Sequence, residues 1–290
     1  MAVTVTDNEP GDVVDPSEVS SPRSWRRAFA DLHQGWVARP LWGHLGWQDI
    51  KQRYRRSVLG PLWVSISMGV IALGLGILYS ALFETPIETF LPHVAVGLLI
   101  WNFISGCILE GSEVFISNEG LIKFLPAPLT LHIYRLIWRQ TLFFLHNLVV
   151  WAVLMVVFPH PLGWSLLLAL PAFALVALNG GWIAILSGIL ATRFRDIPPI
   201  IASMTQLIFY LTPIVWSVEI LTNNSEAARE RASLVELNPV FHFLEILRRP
   251  LLGQEIIGRY WVVAGVITLI GWAAALVCLR NYRSRVAYWV

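Results

Sequence analysis

Six apolar runs decide what this chain can fold into: residues 62–83, 91–109, 136–158, 164–191, 199–216 and 260–279. Each is long enough to cross a ~30 Å hydrocarbon core at 1.5 Å per residue, some with a tilt or a break. Asn102 and Gln206 interrupt the second and the fifth. Composition agrees with this pattern. Of 290 residues, 56% are hydrophobic and 14% charged, at a mean hydropathy of +0.62, whereas a soluble domain carries about 25% charged residues. The fold class is therefore all-α: a polytopic membrane protein with six transmembrane helices joined by short connections.

The positions of basic residues orient the spans. The links after spans one and three, 84–90 and 159–163, contain no Lys or Arg. The links after spans two and four contain Lys123, and Arg193 with Arg195, and the final segment carries Arg280, Arg283 and Arg285. Every short basic segment falls on one side if both termini are cytoplasmic. The segment 217–259 is expected outside although it holds five Arg, because it also holds six Glu and is long enough for the rule to weaken. Within it Asn238-Pro239 is a good helix start, with Val240, Leu244, Leu247 and Leu251 on one face. It reads as one or two short re-entrant helices dipping into the outer membrane boundary.

The region ahead of the first span divides in two. Residues 1–22 lack basic residues and an apolar core, so they are not a signal peptide; Asp7, Glu9, Asp12, Asp15 and Glu18 among Pro, Ser and Val read as a disordered acidic tail. Residues 23–59 read as cytoplasmic amphipathic helices. Trp25, Phe29, Leu32 and Trp36 recur at helical spacing, with Arg26, Arg27, Asp31 and Gln34 on the other face and Pro40 ending the helix. That suits a helix lying in the membrane interface, with an ordinary surface helix as the alternative. A second stretch puts Trp47, Ile50, Tyr54 and Val58 on one face, and Asp49 can pair with Arg53 at i,i+4. Residues 60–290 form the six-span domain.

Small residues form packing stripes: Ser65, Gly69, Ala72, Gly76 and Ser80 on span one, and Ala177, Gly180, Ala184, Ser187 and Ala191 on span four. On span two Asn102, Gly106, Glu110 and Glu113 share a face that lines an aqueous path or a subunit interface. Cys107 and Cys278 fall within spans and read as buried structural thiols. The chain has no His-Glu-x-x-His, no Cys-x-x-Cys and no Gly-x-Ser-x-Gly, so neither a metal site nor a hydrolase elbow is expected. Lys51 is followed by Gln and Lys123 by Phe, so no phosphate-binding Gly-Lys-[Ser/Thr] exists, and ATP-driven work requires a separate ATPase chain.

Residues 49–63, Asp-Ile-Lys-Gln-Arg-Tyr-Arg-Arg-Ser-Val-Leu-Gly-Pro-Leu-Trp, resemble the signature ahead of span one in ABC-2 type permeases that export polysaccharides, the Wzm-like O-antigen and TagG-like teichoic acid exporters. Three shorter matches follow in order: the loop Asn118-Glu119-Gly120-Leu121-Ile122-Lys123-Phe124-Leu125-Pro126-Ala127-Pro128-Leu129, then Arg193-Phe194-Arg195-Asp196-Ile197, then Asn238-Pro239 with Arg248 downstream. The resemblance covers the chain from about Ser24 onward; the acidic tail is not part of it. It implies a homodimer with two copies of an ABC ATPase that binds ATP and Mg, no cofactor in this chain, and no nucleic-acid partner. It implies a bacterial inner-membrane location and a polyprenyl-diphosphate-linked glycan of O-antigen or teichoic acid type, moved from the cytoplasmic to the outer face; the Arg-rich, Lys-poor composition adds a galactan to these types.

Within that frame, Lys51, Arg53, Arg55 and Arg56 are the candidates for the lipid diphosphate, since guanidinium groups fork onto phosphate oxygens; the alternative is that they hold anionic headgroups or only set orientation. Tyr79, Phe83, Trp101, Phe103, Tyr210 and Trp216 are candidates for stacking on sugar faces in a channel, with interfacial anchoring as the alternative. Glu113, Glu119 and Lys123, with Arg193, Arg195 and Asp196, are candidates for docking the ATPase, with positive-inside anchoring as the alternative for Arg193 and Arg195. Rival readings are an ABC-2 permease for drugs or simple lipids, and a polyprenyl-phosphate-dependent membrane enzyme, for which the acidic cluster that a metal-bound sugar nucleotide needs is lacking.

Overall fold

The computed structural model describes residues 23–125, 127–217 and 234–290. The expected acidic tail, and residues 218–233 of the expected re-entrant segment, lie outside the described residues. All regular elements described are helical: α1 (Trp25–Val37), α2 (Arg39–Arg53), α3 (Leu62–Leu82), α4 (Ile87–Ser112), α5 (Glu119–Phe124), α6 (Thr130–Val157), a 3₁₀ turn (Trp164–Leu168) leading into α7 (Ala169–Arg193), α8 (Ile197–Leu211), α9 (Pro239–Leu251) and α10 (Gly258–Trp289).

Five helices are long and apolar enough to cross a membrane: α3, α4, α6, the 3₁₀ turn with α7, and α10. The fifth expected span is shorter. α8 has 15 residues, about 22 Å at 1.5 Å per residue, and the chain leaves it at Thr212 for a non-helical stretch in which Thr212, Pro213 and Ile214 are buried. Three other helices clearly exceed their apolar runs. α4 runs from Ile87 to Ser112, α6 begins at Thr130 and α10 continues to Trp289, because a helix need not stop where it leaves the hydrocarbon.

α4 is the central helix. Two-thirds of its most apolar window is buried within the chain, against 22–44% for the other four, and it packs on α3, α6, α7, α8 and α9. The α4–α7 contact shows why small residues recur on α7. A methyl group on Gly111 would stand 2.8 Å from the Ala184 Cβ, and one on Gly180 would stand 2.9 Å from Cys107 Sγ. Without a hydrophobic driving force between helices in lipid, such close approach is what holds a pair together. Cys107 is buried, Cys278 partly so, and both are free thiols.

The core has two layers. One is built round α4, α7 and α9, where Phe103, Phe144 and Phe173 form an aromatic triad with centroids 4.4–5.8 Å apart. The other joins α1, the end of α4, the start of α6, the second half of α7 and the end of α10. α9 starts as its Asn-Pro pair predicts, with the Asn238 side chain accepting from Val240 N at 3.0 Å. It is buried on most of its circumference, packed on α10, α7 and α4.

The N-terminal helices depart from the expected pattern in three ways. Pro40 does not only end a helix; it lies in the first turn of α2, where its missing N–H is not needed. Val58 lies beyond α2 and is fully exposed, so the face expected of Trp47, Ile50, Tyr54 and Val58 stops at Tyr54. Asp31 is not solvent-facing; it is 1% exposed, whereas Trp25, Phe29 and Trp36 are 42%, 54% and 53% exposed. α1 therefore packs on the bundle through Ala28, Asp31 and Gly35 and turns its aromatic face outward. A buried partner for the Asp31 carboxylate, which sequence spacing could not reveal, takes this one residue off the polar face.

Candidate functional site

A groove between α2, α3, α4 and α6 gathers the charged residues near the basic end of the bundle. Its floor is one ion-pair chain. Asp49 of α2 receives a two-pronged contact from Arg135 of α6 (Nη2–Oδ1 2.5 Å, Nε–Oδ2 2.9 Å) and a further bond from Arg139 (Nη1–Oδ2 2.8 Å). Arg139 then reaches Glu110 of α4 at 2.5 Å, and Glu110 stands 3.9 Å from Arg53. At the other end Arg135 Nη1 donates to Asn118 Oδ1 at 3.2 Å, the residue that opens α5. Burial alone would raise the Asp49 pKa; the hydrogen bonds and charge of Arg135, with those of Arg139, outweigh it and hold the carboxyl below its usual value.

The expected Asp49–Arg53 pair is thus replaced. Asp49 turns to α6 because two guanidinium groups there offer better geometry than one flexible neighbour a turn away, and exposed i,i+4 pairs contribute only about 0.3–0.5 kcal/mol. Arg53 is left with a 56% exposed side chain, the 3.9 Å contact to Glu110 and the Phe143 ring 5.4 Å from its Cζ. Its donors are the least engaged of the three arginines in the groove. Two cavities meet at Arg53 and Phe143: a charged one of ≈ 470 Å³ that includes Asp49, Glu110, Glu113, Arg135 and Arg139, and an inner one of ≈ 320 Å³ that includes Asn102, Gln140 and Asn147.

Of the four basic candidates only Arg53 lies in this groove; Lys51, on α2, and Arg55 and Arg56, on the turn beyond it, are exposed. The aromatic candidates do not form one wall. Tyr79 and Phe83 stack (5.6 Å) and lead through Phe90 to His93. Trp101 and Phe103 are buried, Trp101 against Phe209 at 5.5 Å and Phe103 in the aromatic triad. Tyr210 is 64% exposed on α8, and Trp216 is half-buried with its carbonyl 3.3 Å from His93 Nε2.

The remaining candidates stand where α4, α5 and α7 end. Glu113 caps α4 and lines the charged cavity. Glu119 pairs with Lys123 at 2.6 Å along α5; that partner, with the more distant Arg195, lowers the Glu119 pKa. Arg195 and Asp196 are exposed, while Arg193 lies 5.6 Å over the Trp289 ring.

Arg135 and Arg139 were missed because they sit at the start of a long apolar helix, where they read as span boundary. The signal available was their i,i+4 spacing on α6, which puts both on one face. Among the described residues, no group of three or more His, Cys, Asp or Glu is placed to hold a metal ion.

Comparison with known proteins agrees with this architecture. Residues 40–252 match the family described as "ABC-2 type transporter". A protein named "O-antigen export system permease protein RfbA" from Klebsiella pneumoniae is 24% identical over 233 residues, covering 78% of this chain and 87% of that protein. One of the same name from Myxococcus xanthus is 24% identical over 196 residues, covering 67% and 73%. The matched span takes in α2 through α9, the groove and its ion-pair chain included, and the chain belongs to the ABC-2 type transporter family.

Proposed function

We propose that this chain is the permease subunit of an ATP-driven exporter that moves a polyprenyl-diphosphate-linked polysaccharide from the cytoplasmic to the outer face of a bacterial inner membrane. The observation that carries the reading is Arg53, an underused guanidinium at the junction of a charged and a polar cavity, in a chain whose relatives are named for O-antigen export. Arg53 meets the diphosphate there, with Lys51, Arg55 and Arg56 gathering it from the membrane surface. Tyr79, Phe83, Tyr210 and Trp216 offer partly open rings for sugar faces.

The working unit is a homodimer with two copies of an ABC ATPase, which supplies the ATP and Mg site. Both termini are cytoplasmic, and α8 with residues 212–216 completes six spans. Depletion of the chain in its host, followed by analysis of lipid-linked glycans on each membrane face, tests this. Full-length polyprenyl-diphosphate glycan then accumulates on the cytoplasmic side. Unchanged distribution of every such lipid would point to drugs or simple lipids as cargo, and loss of synthesis with no accumulated precursor to a membrane enzyme.

The α5 loop and residues 193–196 dock the ATPase. Asn118 joins that loop directly to the groove through Arg135, so a push on α5 reaches Asp49 and Arg139 along one hydrogen-bonded chain. Reversing Lys123 and Arg195 to Glu together is expected to reduce substrate-coupled ATP turnover about tenfold while the permease itself stays folded, since both side chains are surface-exposed. ATPase co-purification and coupling at parental levels would rule these loops out.

A further inference from the structure

The inner cavity is lined by a buried polar atom that the protein does not satisfy. Asn147 is 3% exposed, lines the cavity, and its Oδ1 accepts no hydrogen bond among the described residues. It sits eight residues beyond Arg139 on α6, about 12 Å deeper along the helix. Gln140 lies on the same cavity wall two turns earlier, 5% exposed. Gly106 of α4 makes room for its amide, since a methyl group there would stand 2.5 Å from Oε1. Asn102 completes the polar set from α4.

Buried amides are common glue between membrane helices, and Asn179 is that case here. Its Nδ2 donates to Thr268 Oγ1 and its Oδ1 accepts from Trp182 Nε1, both at 2.7 Å. Asn147 has no such partner, although an unsatisfied polar atom at hydrocarbon depth is costly. Its position in a cavity of ≈ 320 Å³, within the roughly 300–1,000 Å³ typical of ligand sites, points to a ligand rather than to helix packing.

The lining defines the ligand's chemistry. Three carboxamides offer donors and acceptors, Phe143 and Phe144 offer apolar ring surface, and Arg53 stands at the mouth. An acyl or prenyl chain would leave the amides unpaired, whereas a saccharide presents hydroxyls to amides and an apolar face to rings. We infer that this cavity is a subsite for the saccharide unit adjoining the diphosphate, with Asn102, Gln140 and Asn147 on its hydroxyls and Arg53 on the phosphate. This rests on the export reading above and specifies which part of the substrate the permease itself recognises.

The test uses the full chain in phospholipid nanodiscs, with equilibrium binding of isotope-labelled probes as the readout. The probes are bare polyprenyl diphosphate and polyprenyl-diphosphate monosaccharides carrying a hexose or an N-acetylhexosamine. The parent chain should bind at least one sugar-bearing form more tightly than the bare carrier. Asn147→Leu and Gln140→Leu should each weaken the sugar-bearing form about tenfold, the equivalent of one good hydrogen bond, and leave the bare carrier unchanged. Arg53→Gln should weaken both. The thermal midpoint of Asn147→Leu should not fall, because an unpaired polar atom is removed rather than a bond broken.

Equal affinity of the parent chain for bare and sugar-bearing carriers would overturn the subsite alone. So would Leu variants that weaken both probes alike or neither. Failure of the parent chain to bind any polyprenyl diphosphate would overturn the export reading together with the subsite.

Discussion

Glu245→Ala should lower the stability of the chain by about 3–5 kcal/mol, the usual consequence of leaving a buried charge without its partner. Glu245 is the one carboxylate between two arginines of α9. Arg248 Nη1 lies 3.2 Å from its Oε1 and Arg249 Nε lies 2.9 Å from its Oε2, with Arg248 only 1% exposed. The remaining Arg248 contacts are weaker: Nη1 lies 3.2 Å from His93 Nε2, Nη2 donates to the Ile214 carbonyl at 3.3 Å, and Nε has no partner among the described residues. They do not neutralise it. In nanodiscs the loss should read as a fall in thermal midpoint on the order of 10 °C. The double substitution Glu245→Leu with Arg248→Met should recover most of it, because the fully buried arginine leaves with its carboxylate, while Arg249 is partly exposed and keeps its bond to the Glu255 carbonyl. An equal fall in both proteins would show that packing of α9, and not the unpaired charge, sets the effect.

Asp31→Ala should be the second severe substitution, at about 3 kcal/mol. α6 begins with no side-chain cap of its own, so its first N–H groups need an acceptor from elsewhere. Asp31 provides it from α1: Oδ1 accepts from Thr130 N at 3.0 Å and from Thr130 Oγ1 at 2.8 Å, and Oδ2 accepts from Leu129 N at 3.3 Å. Arg283 of α10 closes the set with a 3.0 Å bond to Oδ2. Removing the carboxylate strands a buried N–H pair, at about 1–3 kcal/mol, and frees Arg283. Asp31→Asn keeps one acceptor oxygen for Thr130 but turns an amide NH2 towards the Leu129 N–H and Arg283, so it should cost about 1–2 kcal/mol, less than Asp31→Ala. Amide hydrogen exchange along α1 checks this. Asp31→Ala should bring α1 to near-random-coil exchange rates and Asp31→Asn only part of the way; undiminished protection in both would mean that the apolar contacts of α1 hold it unaided.

Neither Asp31 nor the Glu245–Arg248 pair carries its role in local pattern. The periodicity of Trp25, Phe29, Leu32 and Trp36 assigns every intervening polar residue, Asp31 included, to the opposite face. In sequence Arg248 is a basic residue downstream of Asn238-Pro239, and Glu245 is one of six acidic residues in an outer segment. Spacing pairs Asp49 with its nearest arginine, where the fold offers Arg135 and Arg139, 86 and 90 residues away. The short α8 was legible only as an apolar run; that the helix ends at Leu211 follows from the buried stretch at 212–214 and from the Asn238 Nδ2 bond to Thr212 Oγ1 at 2.7 Å.

The family, the helical class and five of the spans were legible because each depends on properties local in the chain. Apolar length against bilayer thickness and the long motif at residues 49–63 are read without knowing which helices touch. The groove was not legible. It depends on which faces of α2, α4 and α6 meet, on a glycine that lets Gln140 lie against α4, and on an Asn147 amide oxygen that found no partner where Asn179 found three. Charge pairing and hydrogen-bond satisfaction are decided by three-dimensional proximity across separations of up to 252 residues, so only the packed bundle determines which polar residues hold it together and which remain open to a ligand.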